Sequence, residues 1–465
     1  MNRRSFLSSL GGTTAVTLIG PPLLAGGVSS SSGMAGKPES APGRPGYFGD
    51  GRDWFLERRF GMFAHWGLYS IPAWHEQHQW RAHVPRAEYV KLAQQWNPDK
   101  FNPERWLDML EEGGMRYLTL TTKHHDGFCL FDSKHTRFTS VHTPYKKDIV
   151  AMVADACHRR KLPLCLYYSI ADWNQPNYPN QGRHHELPAP EPGDHPDWEA
   201  YLEYLTNQVR ELCTNYGTIH GFWWDMNVSA YKDPSINAMI RKLQPQAVIN
   251  DRGFDAGDFG TPERDYDPDD ARVIHRPVEA CQAVGSESWG FRKDEDYYSA
   301  GHLQRSIARY LARGCNYVLN VGPQPDGTID SHSSGILRKV GAWLKDVGGA
   351  FGDAIPASHL TTNRDVMLTR RGKSIYVILT NVPSTEAVKL KPITTAPKSA
   401  VLLNPRTTLE TSTALCPADF ADGKGYLRIR GIPADNLAST VGVIQLEFEE
   451  LPPEVSAKET QPAVR

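Results

Sequence analysis

Short apolar runs alternate with longer helical patterns along the chain from Phe60 onward. Strands are predicted at Phe60–Trp66, Tyr117–Thr121, Leu164–Ser169, Gly221–Trp224, Ala247–Asn250 and Tyr317–Val321. Helices are predicted between them at Pro103–Glu112, Ile149–Lys161, Trp198–Tyr216, Ile236–Leu243 and His302–Arg313. Such alternation implies parallel strands joined by crossover helices, so the pattern predicts an α/β fold whose length suits a (β/α)8-type barrel. A doubly wound open sheet is the competitor, but no Gly-x-Gly-x-x-Gly turn follows the first strand, which disfavours a dinucleotide-binding fold.

A different pattern begins after about Ala354, where long helical periods stop and polar and apolar residues alternate between turns. Strands are predicted there at Val366–Thr369, Ser374–Leu379, Ala387–Leu390, Ala400–Leu403, Tyr426–Ile429 and Val441–Phe448. Many short alternating strands are typical of antiparallel sheets. The barrel is therefore expected to be followed by a small antiparallel β-sandwich.

The N-terminus carries Arg3-Arg4 ahead of a mildly apolar, small-residue stretch from Leu10 to Leu24. Paired arginines before a weak hydrophobic region are typical of a twin-arginine export signal, and a disordered N-terminus with chance arginines is the alternative. The stretch is broken by Gly20-Pro21-Pro22 and is too short for a membrane span. We expect a periplasmic or secreted protein.

These patterns divide the chain into four expected parts. Residues 1–46 are an export signal with its linker, 47–353 the barrel, 354–450 the β-sandwich and 451–465 a disordered tail. The net charge of −2 leaves no basic surplus for phosphate backbones, so nucleic acid is not an expected partner. Seven cysteines without a CxxC pair argue against a disulfide scaffold.

Residues suited to catalysis cluster where the predicted strands end. They are His65 after the first strand, Lys123-His124-His125-Asp126 after the second, Tyr167, Tyr168 and Asp172-Trp173 at the third, Trp223-Trp224-Asp225 at the fourth and Asn250-Asp251-Arg252 at the fifth. In a barrel, the carboxyl ends of all strands point to the face where active sites are built. Packing of the core alone does not explain why five strand ends all carry such residues.

Asp225 directly follows the apolar strand Gly-Phe-Trp-Trp, so its carboxylate is expected to enter a pocket lined by aromatic rings. Glycosidases need a carboxylate in a pocket of this kind. The structural alternative for Asp225 is an ordinary loop or cap Asp. A second carboxyl group is required, and Glu263 and Glu279 both lie on the segment that follows. A surface role is the alternative for each.

The histidines permit a rival interpretation, in which His65, His124, His125 and Asp225 bind zinc at the strand ends. No His-Glu-x-x-His motif supports it, and adjacent His124 and His125 are expected to point in different directions on an extended backbone. The same side chains suit hydrogen bonds to sugar hydroxyls, or a purely structural role at the barrel rim. No metal or other cofactor is expected.

At these residues the sequence resembles the α-L-fucosidases of glycoside hydrolase family 29. The matching stretches are Arg59-Phe-Gly-Met-Phe-Ala-His-Trp-Gly-Leu-Tyr-Ser-Ile-Pro-Ala73, Thr121-Thr-Lys-His-His-Asp-Gly-Phe-Cys-Leu-Phe-Asp-Ser133, Leu166-Tyr-Tyr-Ser169, Asp172-Trp173, Trp223-Trp-Asp225, Asn250-Asp-Arg252, Ser288-Trp-Gly-Phe291 and Gly314-Cys-Asn-Tyr-Val-Leu-Asn-Val-Gly-Pro323. The resemblance spans about Phe48 to Phe351 and implies a barrel followed by a β-sandwich.

The resemblance also implies roles for individual residues. Asp225 is the expected nucleophile and Glu263 the expected general acid/base, with Glu279 as the alternative acid/base. His65, His124 and His125 are expected to donate hydrogen bonds to fucose hydroxyls. Further expected substrate-binding residues are Trp80, Tyr168, Trp223, Arg252 and Trp289.

The sequence departs from the family at three places. Gln79-Trp80 stands where the family often has Glu-Trp, which is expected to remove a charge near the sugar; Met226-Asn227 follows the nucleophile; and Val278 precedes Glu279 where Trp is usual. We still expect an exported retaining α-L-fucosidase that removes terminal α-L-fucose from glycans by double displacement. A metal-dependent barrel hydrolase and a sugar-binding protein without turnover are the alternatives.

Overall fold

The computed structural model describes residues 47–183, 185–226, 233–264 and 276–453. The predicted export signal and nearly all of the predicted tail lie outside these residues. Within them, no helix combines the length and the apolar character that crossing a membrane requires.

The strands and helices follow one another along the chain with few long gaps. The strands are β1 Phe60–Ala64, β2 Leu118–Lys123, β3 Leu164–Ser169, β4 Gly221–Asp225, β5 Val248–Ile249, β6 Glu279–Ala283, β7 Asn316–Val321, β8 Ile355–Pro356, β9 Met367–Arg371, β10 Ser374–Ile378, β11 Ala387–Leu390, β12 Ser399–Leu403, β13 Arg406–Thr408, β14 Glu410–Ser412, β15 Leu427–Arg430 and β16 Val443–Glu447. The α-helices are α1 Trp54–Arg58, α2 His78–Arg81, α3 Arg86–Tyr89, α4 Pro103–Glu112, α5 Ile149–Arg160, α6 Trp198–Asn215, α7 Pro234–Leu243, α8 Ala300–Ala312 and α9 Ser331–Val347.

The first seven strands form one parallel sheet in the order β5-β4-β3-β2-β1-β7-β6. Residues 259–263 fill the eighth position, since Phe259 bridges Asn250 beside β5 while Glu263 bridges Cys281 of β6. This segment contains Pro262, which has no N–H to donate to a ladder, so it remains a set of bridges rather than a regular strand. The predicted (β/α)8-type architecture is confirmed, with one irregular position.

Local sequence explains why the long helices begin where they do. Asn102, Asp148, Asp197, Ser299 and Asp330 each place a side-chain oxygen on a backbone N–H in the first turn of α4, α5, α6, α8 and α9. Such N-caps satisfy donors that the helix itself leaves unpaired, typically for about 1 kcal/mol. The helices therefore start at fixed positions outside a sheet whose strands are almost wholly buried.

The C-terminal strands form two antiparallel sheets, as the alternating pattern predicts. One has the order β13-β12-β16-β10-β9-β8 and the other the order β11-β15-β14. A separate hydrophobic core that includes Leu368, Val377 and Ile444 lies in this region. All six predicted strands are present, whereas the short strands β8, β13 and β14 are additional.

Candidate active site

A cavity of about 450 Å³ opens where the barrel strands end. Its wall combines aromatic rings, histidines and charged groups, contributed by Phe63, His65, Glu76, Gln77, His124, His125, Tyr167, His185, Trp223, Asp225, Met226, Arg252, Glu263, Cys281 and Trp289. The carboxyl end of the barrel is therefore concave and rich in hydrogen-bonding groups, as the clustering of residues at strand ends predicts.

Asp225 ends β4 with its carboxylate in this cavity. Tyr167 donates from its hydroxyl to Oδ2 at 2.7 Å, and Arg252 donates from Nη1 to Oδ1 at 3.0 Å. Burial alone would raise the pKa of Asp225, but the Arg252 guanidinium, His125 and the Tyr167 hydroxyl hold that pKa below its ordinary value. The carboxylate is therefore ionised and fixed in orientation at neutral pH.

The two-residue period of β3 decides which tyrosine reaches the cavity. Tyr167 points inward to Asp225, whereas Tyr168 points outward and donates to Gln208 of α6 at 2.6 Å. The prediction of Tyr168 as a substrate-binding residue is wrong, because successive side chains of a strand face opposite sides. Tyr167 occupies the predicted place.

Arg252 joins the two predicted catalytic carboxylates. Its Nη2 donates to Glu263 Oε2 at 2.9 Å, while its Nη1 holds Asp225. The guanidinium also lies over the Trp223 ring, 4.6 Å from the centroid. Glu263 lies in the irregular eighth position of the barrel with 40% of its side chain exposed, so solvent protons reach it.

Glu279 lies elsewhere. It begins β6 at the amino end of that strand, where Tyr117 donates to Oε1 at 2.5 Å and Trp223 donates to Oε2 at 3.0 Å. Burial raises the pKa of Glu279 to about 7. The structure does not bring this carboxyl group to the cavity, contrary to its prediction as the alternative acid/base on a loop, because it belongs to β6 and is buried against Tyr117 and Trp223.

His65, His124 and His125 all line the cavity. The rings of His124 and His125 lie 3.9 Å apart, so the expectation that they point in different directions is wrong. They occupy a turn after β2, closed by the Gly127 N–H on the His124 carbonyl at 3.0 Å, rather than extended backbone. Burial lowers the pKa of His65 and His125 to about 4, and that of His124 well below its ordinary value.

The predicted tryptophans divide between the cavity wall and the layer behind it. Trp223 and Trp289 line the cavity, and Trp289 lies 5.3 Å from the His65 ring. Trp80 is not part of the wall. Its Nε1 donates to the Glu186 carbonyl at 2.6 Å and its ring packs edge-on against His185, which does line the cavity.

Glu76 is the main wall residue that sequence reasoning missed. This buried carboxylate accepts from the Ser288 hydroxyl at 2.8 Å and from the Trp289 N–H at 2.9 Å. The cavity therefore has a second buried carboxylate, Glu76, even though Gln79 stands where a charged residue is common in the family. An acidic residue in the segment that connects β1 to α2 was the available signal. Gln77, His185, Met226, Cys281 and Phe63 were also missed.

The rival zinc interpretation requires several ligating side chains gathered at one point within the described ranges 47–183, 185–226, 233–264 and 276–453. No three His, Cys, Asp or Glu side chains in these ranges are gathered as a metal-binding group. His65, His124, His125 and Asp225 share a cavity, but His65 and His125 each direct Nδ1 to a protein partner.

Comparison with known sequences identifies a family for the barrel. The profile described as alpha-L-fucosidase matches residues 50–349. The tissue alpha-L-fucosidase of Homo sapiens is 26% identical over 397 residues, which are 77% of this chain and 82% of that protein. The tissue alpha-L-fucosidase of Bos taurus is 26% identical over 412 residues, covering 80% of this chain and 83% of that protein.

Comparison with solved structures agrees. Alpha-L-fucosidase isoenzyme 1 from Paenibacillus thiaminolyticus superposes with a TM-score of 0.76 and 32% identity, covering 86% of this chain and 99% of its own. A GH29 alpha-L-fucosidase from Bacteroides thetaiotaomicron, solved as a trapped covalent intermediate in complex with 2-fluoro-fucosyl fluoride, gives a TM-score of 0.72 at 28% identity. That match covers 84% of this chain and 94% of the other.

Proposed function

The chain belongs to the α-L-fucosidase family, glycoside hydrolase family 29, and we propose that it cleaves terminal α-L-fucose from glycans with retention of configuration. The family membership makes it a glycoside hydrolase. The proposal adds the double displacement, with Asp225 as nucleophile and Glu263 as acid/base, and export of the folded enzyme.

In the first step, Asp225 attacks the anomeric carbon while Glu263 donates a proton to the leaving oxygen. The Arg252 guanidinium and the Tyr167 hydroxyl favour the ionised form of Asp225 over the protonated one, so a nucleophilic carboxylate is ready at neutral pH. The Tyr167 hydroxyl and the Arg252 guanidinium fix one oxygen each, so little reorientation precedes attack.

In the second step, Glu263 accepts a proton from water, and that water displaces Asp225 from the covalent fucosyl intermediate. The partial exposure of Glu263 gives its carboxyl group access to solvent protons and to the incoming water. His65, His124, His125 and Trp289 form the surrounding wall, where imidazoles hydrogen-bond the sugar hydroxyls and aromatic surface suits the fucose methyl group.

The observation that carries the proposal is the bridge through Arg252. One guanidinium holds both Asp225 and Glu263 at one cavity, so the two carboxylates lie close together. Retaining glycosidases require such a pair, with a spacing of about 5–5.5 Å. The covalent intermediate trapped in the related Bacteroides thetaiotaomicron enzyme supports the same course.

Azide rescue tests the assignment of both carboxylates. Glu263→Ala is expected to slow hydrolysis of fucosides with poor leaving groups by roughly 10²–10⁴-fold. Azide should restore turnover of an aryl α-L-fucoside by this variant and give the α-configured fucosyl azide, whereas Asp225→Gly with azide should give the β-configured product.

Glu279→Ala is the matched control, since this glutamate lies outside the cavity wall. It should show no azide effect. Rescue confined to the Glu279 variant, with none for Glu263→Ala, would reverse the assignment of the acid/base.

Export is the second part of the proposal. Arg3-Arg4 and the weak apolar stretch after them support a twin-arginine-type signal, which carries folded proteins to the periplasm or the medium. The cysteines support it as well, because all seven are free thiols and six of them are buried. A fold that needs no disulfide can be completed before export.

A further inference from the structure

Two of the cavity histidines have their Nδ1 atoms held by protein groups of known hydrogen-bonding character. His125 Nδ1 lies 2.7 Å from Ser169 Oγ, and His65 Nδ1 lies 2.6 Å from Asn320 Oδ1. A neutral imidazole carries its proton on one nitrogen only, so the partner of Nδ1 fixes what Nε2 can do.

Ser169 resolves the proton position on His125. Its hydroxyl oxygen lies 2.8 Å from the Ala171 carbonyl, an acceptor that has no proton to give. The single hydroxyl proton of Ser169 must therefore point to Ala171, which leaves the oxygen to accept from His125. Both contacts are satisfied only when His125 carries its proton on Nδ1.

Asn320 resolves the proton position on His65 in the same way. Its Nδ2 donates to the Trp289 carbonyl at 2.7 Å, which fixes the orientation of the amide. The Oδ1 atom then faces His65 Nδ1 at 2.6 Å, and an amide oxygen only accepts. His65 is therefore also protonated on Nδ1.

Both rings are neutral at physiological pH, since burial lowers the pKa of each to about 4. Their Nε2 atoms consequently carry lone pairs. His125 Nε2 lies 3.7 Å from Asp225 Oδ2, so the neutral ring and the carboxylate are two acceptors with no proton between them. A hydroxyl group that donates is the chemical group that suits this place.

We propose that His65 and His125 accept hydrogen bonds from substrate hydroxyls rather than donate to them, and that Ser169 and Asn320 are positioning residues that fix this tautomer. The inference rests on the proposed function, in that the hydroxyls are those of the bound fucose. The consequence for specificity is that each contacted position of the sugar must bear a hydrogen-bond donor, such as a hydroxyl group. This reverses the direction of hydrogen bonding expected from the sequence.

Nitrogen-15 NMR of histidine-labelled protein tests the tautomers without any substrate. Two-bond proton–nitrogen spectra distinguish Nδ1–H from Nε2–H rings, and His65→Gln and His125→Gln assign the signals. Near pH 7 the Nδ1–H form is expected for both residues. Nε2–H rings or imidazolium cations at these positions would overturn the inference.

Ser169→Ala tests the positioning role. Its His125 ring should shift towards the Nε2–H form, and KM or the inhibition constant of L-fucose should rise about tenfold, the worth of one hydrogen bond. Ser169→Thr keeps a hydroxyl and should restore both the tautomer and the affinity. A merely structural Ser169 would lower stability in the Ala variant while leaving the NMR form of His125 unchanged.

Sugar analogues test the direction of the hydrogen bonds. Replacing a contacted hydroxyl of L-fucose by fluorine or by hydrogen should weaken competitive inhibition alike, by about tenfold, because neither group donates. The inference is wrong if every fluorinated analogue binds as tightly as L-fucose, because then no hydroxyl position acts as a donor. Failure of L-fucose itself to bind, with Nδ1–H rings intact, would count against the proposed function alone.

Discussion

Tyr167 and Tyr168 are neighbours on β3, yet their hydroxyl groups donate to Asp225 in the cavity and to Gln208 of α6 respectively. The sequence shows two adjacent tyrosines and does not show which of them faces the barrel interior. A strand shifted by one residue exchanges the two faces, so this choice depends on a register that only the assembled sheet fixes. The pairing of Tyr167 with Trp223 across β3 and β4 supplies it.

Tyr167→Phe should lower kcat/KM on an aryl α-L-fucoside by about tenfold, because the nucleophile loses the hydrogen bond that orients it. That bond also lowers the pKa of Asp225. Its removal raises the pKa, so the acidic limb of the pH–rate profile should move to higher pH. Rates measured across the acidic range check both effects.

Tyr168→Phe is the matched control. It removes a buried hydrogen bond to Gln208 and should cost about 1 kcal/mol of unfolding free energy while the pH–rate profile stays unchanged. Equal profiles for Tyr167→Phe and Tyr168→Phe would contradict the orienting role of Tyr167.

At the scale of elements, β6 shows where pattern reading fails. Its sequence Glu-Ala-Cys-Gln-Ala has no β-branched residue and no apolar alternation, although all five positions are buried. The strand exists because residues 259–263 and β7 pair with it, which is tertiary context rather than local propensity. The turn that aims both His124 and His125 into the cavity was missed for the same reason.

The buried glutamate of β6 makes stability depend on pH. Burial raises the pKa of Glu279 to about 7, so between roughly pH 4.5 and 7 the folded protein keeps a proton that the unfolded chain has lost. Stability should therefore fall as pH rises through this window, by about 3 kcal/mol for this group.

Glu279→Gln mimics the protonated carboxyl group and should flatten this part of the profile. Urea unfolding at pH 5 and pH 8 measures the free energy of unfolding of both proteins. Relative to the wild type, the variant should be more stable at pH 8 than at pH 5. If the free energy of unfolding changes between pH 5 and pH 8 by the same amount in the variant as in the wild type, Glu279 is not the group responsible.

At the scale of the whole molecule, the order of strands and helices predicted the barrel and the following sandwich. Six predicted strands with helices between them leave few arrangements, because parallel crossovers are right-handed and short. The cavity followed from the barrel, since strand ends converge at one face. Which loop residues join that face did not follow, because Glu76 and His185 reach it from connecting segments.

Export belongs to this scale, because the signal acts on the complete folded chain. Replacing Arg3 and Arg4 together by Lys should keep fucosidase activity in the cytoplasmic fraction, since twin-arginine signals depend on the arginine pair. The same change at Arg159-Arg160 on α5 is the control and should leave export intact. Undiminished periplasmic or extracellular activity in the Arg3-Arg4 variant would contradict a twin-arginine signal.

The identity of the nucleophile can be read directly by mass spectrometry. Incubation with 2-deoxy-2-fluoro-α-L-fucosyl fluoride should leave a stable fluorofucosyl ester, because the fluorine slows the second displacement. We predict the added mass on the peptide that contains Asp225, at that residue. A label on another side chain, or no label from an enzyme that hydrolyses aryl α-L-fucosides with inversion, would contradict a retaining mechanism through Asp225.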